Sequence, residues 1–197
     1  IKVNGITDLL VGIDHKKGFS PSFVYNLYNG YLNTTSADVL VYQGVQPIST
    51  VQKYLVIIPA NAIKEARFFH SLLKVWNIAR NSGAKIEFYT DDATIAMIGK
   101  IKNRSNIDAS FIVFNNWNDL PKVFGKMKDN EALIVFMAHR SMTSYLPQMH
   151  QVPNDLNTHF KERNFLLIFP SQENDSVYKK DTRDIANASD FIEIGNI

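Results

Sequence analysis

Seven short apolar runs alternate along the chain with stretches of helical period, and this alternation is the feature that most restricts the fold. The runs cover residues 8–13, 38–42, 53–58, 85–89, 111–114, 132–137 and 164–169. Apolar runs of this length, bounded by polar turns, are typical of strands buried on both faces of a mostly parallel sheet with helices between them. The pattern predicts an α/β fold.

The clearest helical pattern covers residues 62–82. Its apolar positions recur every three or four residues, Asn61 is placed to cap its start and Gly83 to end it. Weaker helices are predicted after the pairs Asp91–Asp92 and Asn118–Asp119. Residues 53–169 therefore read as five strands joined by helices, which predicts a five-stranded parallel open sheet flanked by helices.

The first fifty residues resemble a second copy of the end of that unit. Residues 9–16 align with residues 133–140 at a constant offset of 124, and each copy continues to another buried strand. We therefore predict that residues 1–50 are the last β-α-β of a truncated first unit, residues 51–171 a complete second unit, and residues 172–197 a polar tail. A lone β-α-β has too little core to fold, so it must join the second unit's sheet edge or a second copy of the chain. A homodimer is expected.

Composition narrows the classes of partner. Lys and Arg total 21 against 19 Asp and Glu, a balance that does not favour nucleic acid. The chain has no Cys, which excludes disulfides and thiolate metal sites and makes the cytosol the default compartment. No apolar run approaches the roughly 20 residues of a membrane span, so direct membrane insertion is not expected.

Ligands of open α/β sheets bind beyond the carboxyl ends of the strands, so the loops there supply the candidate site residues. After the sixth run the sequence places one cation and several hydroxyls, which could hold a phosphate: His139, Arg140, Ser141 and Ser144. The loop lacks the glycines of phosphate loops, so ordinary solvated polar residues are the other interpretation. The loop at residues 14–20 has one Gly and three potential cations and is a second candidate.

Two further residues complete the candidate set. Asn61 follows the third run, at the carboxyl end of its strand, and Asp91 could pair with Asp92 for acid–base chemistry or Mg²⁺, although Asp is also a favoured helix cap. His139, His150 and His159 are spaced 11 and 9 residues apart, unlike a helical zinc pair. With no Gly-x-Ser-x-Gly elbow and no nucleotide-hydrolysis loop, we expect neither a catalytic site nor a bound metal.

Several passages resemble the universal stress protein family of nucleotide-binding α/β folds. They are residues 139–145, 149–153 and 164–170, together with residues 53–90, which contain the sequences Val-Ile-Ile-Pro and Ala-Arg-Asn-Ser-Gly-Ala-Lys. More specifically, residues 5–171 look like the stress-protein-like modules in the cytoplasmic C-terminal region of bacterial cation:proton antiporters of the Bacteroidetes type.

This resemblance implies a regulatory or assembly domain on the cytoplasmic side of the inner membrane, with the membrane transporter of the same longer protein as its partner. In the nucleotide-binding members an Asp ends the first strand and a glycine-rich pattern follows the fourth. Here Pro59-Ala60-Asn61 replaces the Asp, and residues 139–144 lack the glycines. The resemblance therefore implies no cofactor, with an adenine-nucleotide sensor as the alternative.

Overall fold

A computed structural model describes residues 6–102 and 108–171 of the 197-residue chain. All seven predicted strands are present there, with ends within two residues of the predicted ones. In chain order they are β1 (Asp8–Gly12), β2 (Asp38–Gln43), β3 (Lys53–Ile57), β4 (Lys85–Thr90), β5 (Ala109–Val113), β6 (Glu131–Phe136) and β7 (Phe165–Phe169).

The strands form one mostly parallel sheet of seven in the order β1-β2-β7-β6-β3-β4-β5. The expected five-stranded sheet is therefore wrong in strand number. Strands β3 to β7 do pair in parallel, as expected, but β2 hydrogen-bonds to the free edge of β7 and carries β1 with it. This pairing satisfies backbone groups that an isolated β-α-β would leave exposed.

The β2–β7 pair is the antiparallel junction of the sheet, and its register is symmetric. Val41 pairs with Leu167 near the middle of both strands. On its other side β2 pairs in parallel with β1, and β7 pairs in parallel with β6. The four strands β1-β2-β7-β6 are thus related by an approximate two-fold axis near this pair. As a consequence, β1 and β2 run in the direction opposite to β6 and β7, so the carboxyl ends of the two pairs lie at opposite ends of the strands.

The helices differ in detail from their sequence patterns. They are α1 (Pro21–Asn26), α2 (Leu32–Thr34), α3 (Phe68–Ser82), α4 (Asp92–Lys102), α5 (Leu120–Phe124) and α6 (Val152–His159), and a π-helical turn (Leu27–Tyr31) joins α1 to α2. The helix predicted over residues 62–82 begins instead as a 3₁₀ turn (Ala62–Lys64), breaks where Glu65 adopts an extended backbone, and resumes as α3. Gly83 ends α3 with a φ of 69°, as predicted.

Two apolar layers cover the sheet. One face packs against α3 and α4 through side chains such as Phe68, Leu72 and Ile98. The other packs against the helical segment 21–34, α5 and α6, through side chains such as Leu27, Val123 and Leu156. The two helical connections related by the approximate two-fold axis therefore share a face.

The predicted polar tail at residues 172–197 lies outside the described residues. In the part of the chain that the structure describes, no helix has the length and apolar character needed to cross a bilayer.

Candidate functional site

The usual ligand crevice of this sheet lies between the carboxyl ends of β3 and β6, where the strand order reverses. Here that crevice is nearly closed, with a cavity of about 10 Å³. Pro59 and Glu65 line it from the β3 side, and Met142 and Ser144 from the β6 side. A cavity of this size is at the lower limit for one water molecule, so no nucleotide fits in this conformation.

The Glu65 carboxylate binds Ser144, one of the residues predicted to hold a phosphate. Glu65 Oε1 accepts hydrogen bonds from both the backbone N–H and the hydroxyl of Ser144, each at 2.9 Å, and Ser144 is 3% exposed. Both donors that could hold an anion at Ser144 are therefore used within the protein. This contact also explains the break in the predicted helix, because Glu65 leaves the helical path to reach Ser144.

Asn61 and Asp91 have local backbone roles. Asn61 is the one non-glycine residue of the described chain with positive φ, 66°, and its side chain makes no capping bond, so the predicted cap is absent. Asp91 accepts hydrogen bonds from the backbone N–H and the hydroxyl of Thr94 and so caps α4, the second of the two interpretations given above.

His139 connects the loop after β6 to the first helical segment. Ser141 N–H donates to His139 Nδ1 at 3.4 Å, and His139 Nε2 lies 3.0 Å from Asn33 Oδ1. Because Nδ1 accepts, we assign the ring proton to Nε2, which then donates to Asn33, and the Asn33 amide donates in turn to Tyr28 O. Partial burial and the nearby Arg140 charge lower the pKa of His139, which favours this neutral ring.

Arg140 is exposed, and its Nε donates to His150 Nε2 at 3.3 Å. No carboxylate forms an ion pair with Arg140 within residues 6–102 and 108–171. Burial and the Arg140 charge lower the pKa of His150 as well. Arg140 is therefore a positive charge held in place by a neutral imidazole.

A larger cavity, of about 420 Å³, opens beside Arg140 between the loop after β6 and the helical segment 21–34. Its polar and aromatic lining comprises Tyr25, Tyr28, Asn29, Asn33, His139, Arg140, Tyr145 and His150. We call it the Arg140 cavity. It brings together two of the predicted site residues, His139 and Arg140, while Asn61, Asp91, Ser141 and Ser144 are not among its lining residues.

The residues of the other wall of the Arg140 cavity were not predicted from the sequence. The rings of Tyr28 and His150 pack in a tilted arrangement with a centroid distance of 4.9 Å and an interplanar angle of 37°, and Tyr145 packs edge-on against His150. The repeat does indicate that residues 21–34 connect two strands. Only the antiparallel β2–β7 junction brings the far end of that connection to the carboxyl end of β6.

The second candidate loop, at residues 14–20, follows β1 and therefore lies at the opposite end of the strands from the carboxyl end of β6. Asp14 Oδ1 accepts a hydrogen bond from the backbone N–H of Lys16 at 2.9 Å. That bond lowers the pKa of Asp14. One backbone donor of this candidate loop is therefore already bound by a carboxylate of the loop itself.

A buried ion network, not anticipated from the sequence, joins the first β-α-β to α3. Asp38 is fully buried and is bound by the Arg67 guanidinium, the Lys74 ammonium and the backbone N–H of Ser171. Asp8 and His70 stand close enough to Asp38 to resemble a metal-binding group. Lys74 forms ion pairs with both carboxylates, so a cation of the protein already bridges them.

A scan against protein-family models finds no match to this chain, and a search of curated proteins also finds none.

Proposed function

We propose that this chain is a non-catalytic regulatory or assembly domain of a sodium or other cation:proton antiporter, acting on the cytoplasmic side of the membrane. The proposal starts from the sequence resemblance described above. The observation that carries it is the contact between Glu65 and Ser144, because it fills the crevice where nucleotide-binding relatives hold their ligand. A domain whose crevice is closed in this way acts through protein contacts or through a different ligand site.

The alternative function is an adenine-nucleotide sensor, with the adenine ring near Asn61 and phosphates at Arg140, Ser141 and Ser144. Such a sensor requires the Glu65 side chain to leave Ser144 before the ligand can enter. The feature that favours this function is the charge of Arg140, which has no carboxylate partner in the described part of the chain.

The edges of the sheet are the natural places for protein contacts. β1 is an edge strand, and its Leu10 side chain is 64% exposed. β5 forms the other edge, where Val113 is 53% exposed. Edge strands with exposed apolar side chains are surfaces for strand pairing. We place the homodimer contact, or the contact with the remainder of the transporter, at these edges.

Antibodies raised against the chain test the antiporter assignment in its source cells. The expected result is a membrane-fraction band far larger than the 22.4 kDa of this chain. Cation:proton exchange in inverted membrane vesicles should then change when the domain is deleted from the full-length protein. A band of about 22 kDa in the soluble fraction would contradict the assignment.

Calorimetric titration with ATP separates the two candidate functions. We expect no ATP binding in the crevice of the wild-type domain, that is, none that Ser144→Ala weakens, since Glu65 occupies the Ser144 donors. The variant Glu65→Ala removes that block, and Glu162→Ala, which changes an exposed Glu elsewhere, is the matched control. Tight ATP binding by the wild-type domain that is lost in Ser144→Ala would favour the nucleotide sensor.

A further inference from the structure

The Arg140 cavity has the size of a small-molecule site. Ligand pockets usually span about 300–1,000 Å³, and this one measures about 420 Å³. One wall comes from the helical segment 21–34 and the other from residues 138–150, so it lies across the junction of the two β-α-β units. A ligand there would contact both units at once.

The approximate two-fold axis supplies an internal comparison. His139 aligns with His15 at the repeat offset of 124, and Asn157 lies in α6, the helical connection that the axis relates to the segment 21–34 that holds Asn33. Asn157 closes its half of the junction: its amide bonds to both the N–H and the carbonyl of Phe19, at 2.7 and 2.9 Å. Asn33 instead bonds to the side chain of His139, and the space beside it stays open. The cavity is therefore a departure from the repeat and not a consequence of it.

The charge of the residues lining the Arg140 cavity indicates the charge of a ligand that it fits. Arg140 is the one charged side chain among the described lining residues, and none of them is acidic. Its Nε is held by His150, and it has no carboxylate partner in the described chain. A guanidinium oriented in this way is suited to an oxyanion, either carboxylate or phosphate.

The lining of the Arg140 cavity also includes three tyrosines, whose rings are suited to contact a planar ring of a ligand. Tyr25 lines the cavity although it is 67% exposed, and Tyr28 and Tyr145 pack against His150 at its base. The Tyr28 hydroxyl is buried and has no hydrogen-bond partner among residues 6–102 and 108–171, an arrangement that folded proteins usually avoid. An acceptor on a bound ligand would satisfy it.

We propose that the Arg140 cavity binds a small molecule that combines a planar ring with one oxyanion group, the oxyanion at Arg140 and the ring against the tyrosines. The site is separate from the Glu65–Ser144 crevice. The proposal does not rest on the antiporter assignment, since it depends only on this chain's own residues.

The test uses matched pairs of probes on the purified chain: AMP against adenosine, and 4-hydroxybenzoate against phenol, with inorganic phosphate as the ringless anion. Binding is measured by calorimetry and located by the imidazole NMR signals of His139 and His150. We expect the charged member of at least one pair to bind about tenfold more tightly than its uncharged partner and to shift both signals. Inorganic phosphate alone should bind weakly.

Two variants connect the binding to the cavity. Arg140→Gln should remove the preference for the charged probe, whereas Lys126→Gln, which removes an exposed charge outside the cavity, should leave it intact. Tyr28→Phe should weaken binding about three- to tenfold without lowering the unfolding midpoint, because the lost hydroxyl bonds to none of the residues that the structure describes. Tyr31→Phe, in the same helical segment but outside the cavity lining, is its control.

Three results would overturn the proposal. One is the absence of saturable binding by both pairs at millimolar concentration. Another is a charge preference that survives in Arg140→Gln. The third is binding that shifts neither histidine signal but is altered by Glu65→Ala, because that would place the ligand in the crevice between β3 and β6.

Discussion

The buried carboxylate of Asp38 accepts a hydrogen bond from Arg67 Nε at 2.8 Å, and this pair joins the start of β2 to the start of α3. Burial alone would raise the pKa of Asp38, but the Lys74 ammonium, the Ser171 N–H and the Arg67 guanidinium outweigh it and lower that pKa. The first β-α-β is thus held to the second unit by charge as well as by strand pairing.

Removing the Asp38 carboxylate should therefore be costly. Asp38→Ala leaves Arg67 and Lys74 without their buried partner, and we expect the free energy of unfolding to fall by about 3–5 kcal/mol. Urea unfolding followed by circular dichroism measures this loss. In the matched variant Asp108→Ala, which breaks the exposed pair with Lys85, the midpoint should barely move. Equal effects from the two changes would show that the buried network adds no stability.

The strands were predictable because each is a short apolar run, and burial on both faces requires such runs. The Asp38 network was not, because Arg67 lies 29 residues from Asp38 and Lys74 lies 36. Their meeting depends on the antiparallel pairing of β2 with β7, and no local pattern encodes that pairing. The same pairing explains why His139 and Arg140 were found from the sequence while Tyr28 on the opposite wall was not.

Gly18 is a position where the backbone and a neighbour both exclude a side chain. Its φ is 62°, and a Cβ there would lie 2.4 Å from Asn157 Oδ1, an atom already fixed by its bond to Phe19 N–H. Gly83 has a similar φ of 69°, but apart from its chain neighbours no described residue has an atom within 4 Å of an added Cβ. We expect Gly83→Ala to cost about 1 kcal/mol and Gly18→Ala about 2 kcal/mol or more.

Thermal unfolding of these two variants isolates the contact with Asn157, since the backbone strain is common to both. Asn157→Ala should remove the excess cost of Gly18→Ala in the double variant, although it lowers stability on its own. An equal loss in the two glycine variants would mean that Asn157 moves aside freely.

Stability should fall on mild acidification because of three histidines. Burial lowers the pKa of His70, with help from Lys74 and Arg67 and against the opposing charges of Asp38 and Asp8. Burial and Arg140 lower the pKa values of His139 and His150. Below about pH 6.5 the unfolded chain then binds more protons than the folded one, so unfolding is favoured as the pH falls toward the lowered values.

Urea midpoints between about pH 7.5 and about pH 5.5 measure this effect. The lowered pKa of Asp38 keeps its carboxylate ionised over that window, so the expected decline belongs to the histidines. The double variant His139→Gln/His150→Gln should have a shallower pH dependence than the wild type. The attribution to the histidines would be contradicted if the urea midpoint of that variant depended on pH as steeply as in the wild type. It would also be contradicted if the stability of the wild type rose on acidification.

The contact between Glu65 and Ser144 should stabilise the closed crevice. Ser144 is buried, and its hydroxyl and N–H share one carboxylate oxygen, so Ser144→Ala removes one of two hydrogen bonds to a charged acceptor and leaves the other. We expect a loss of about 1–2 kcal/mol in Ser144→Ala and a larger loss in Glu65→Ala, which leaves both donors unsatisfied. Chemical denaturation measures which of the two variants loses more of the free energy of unfolding. If Glu65→Ala were the milder change, the carboxylate would be a strained occupant of the crevice, as expected for a group that a ligand displaces.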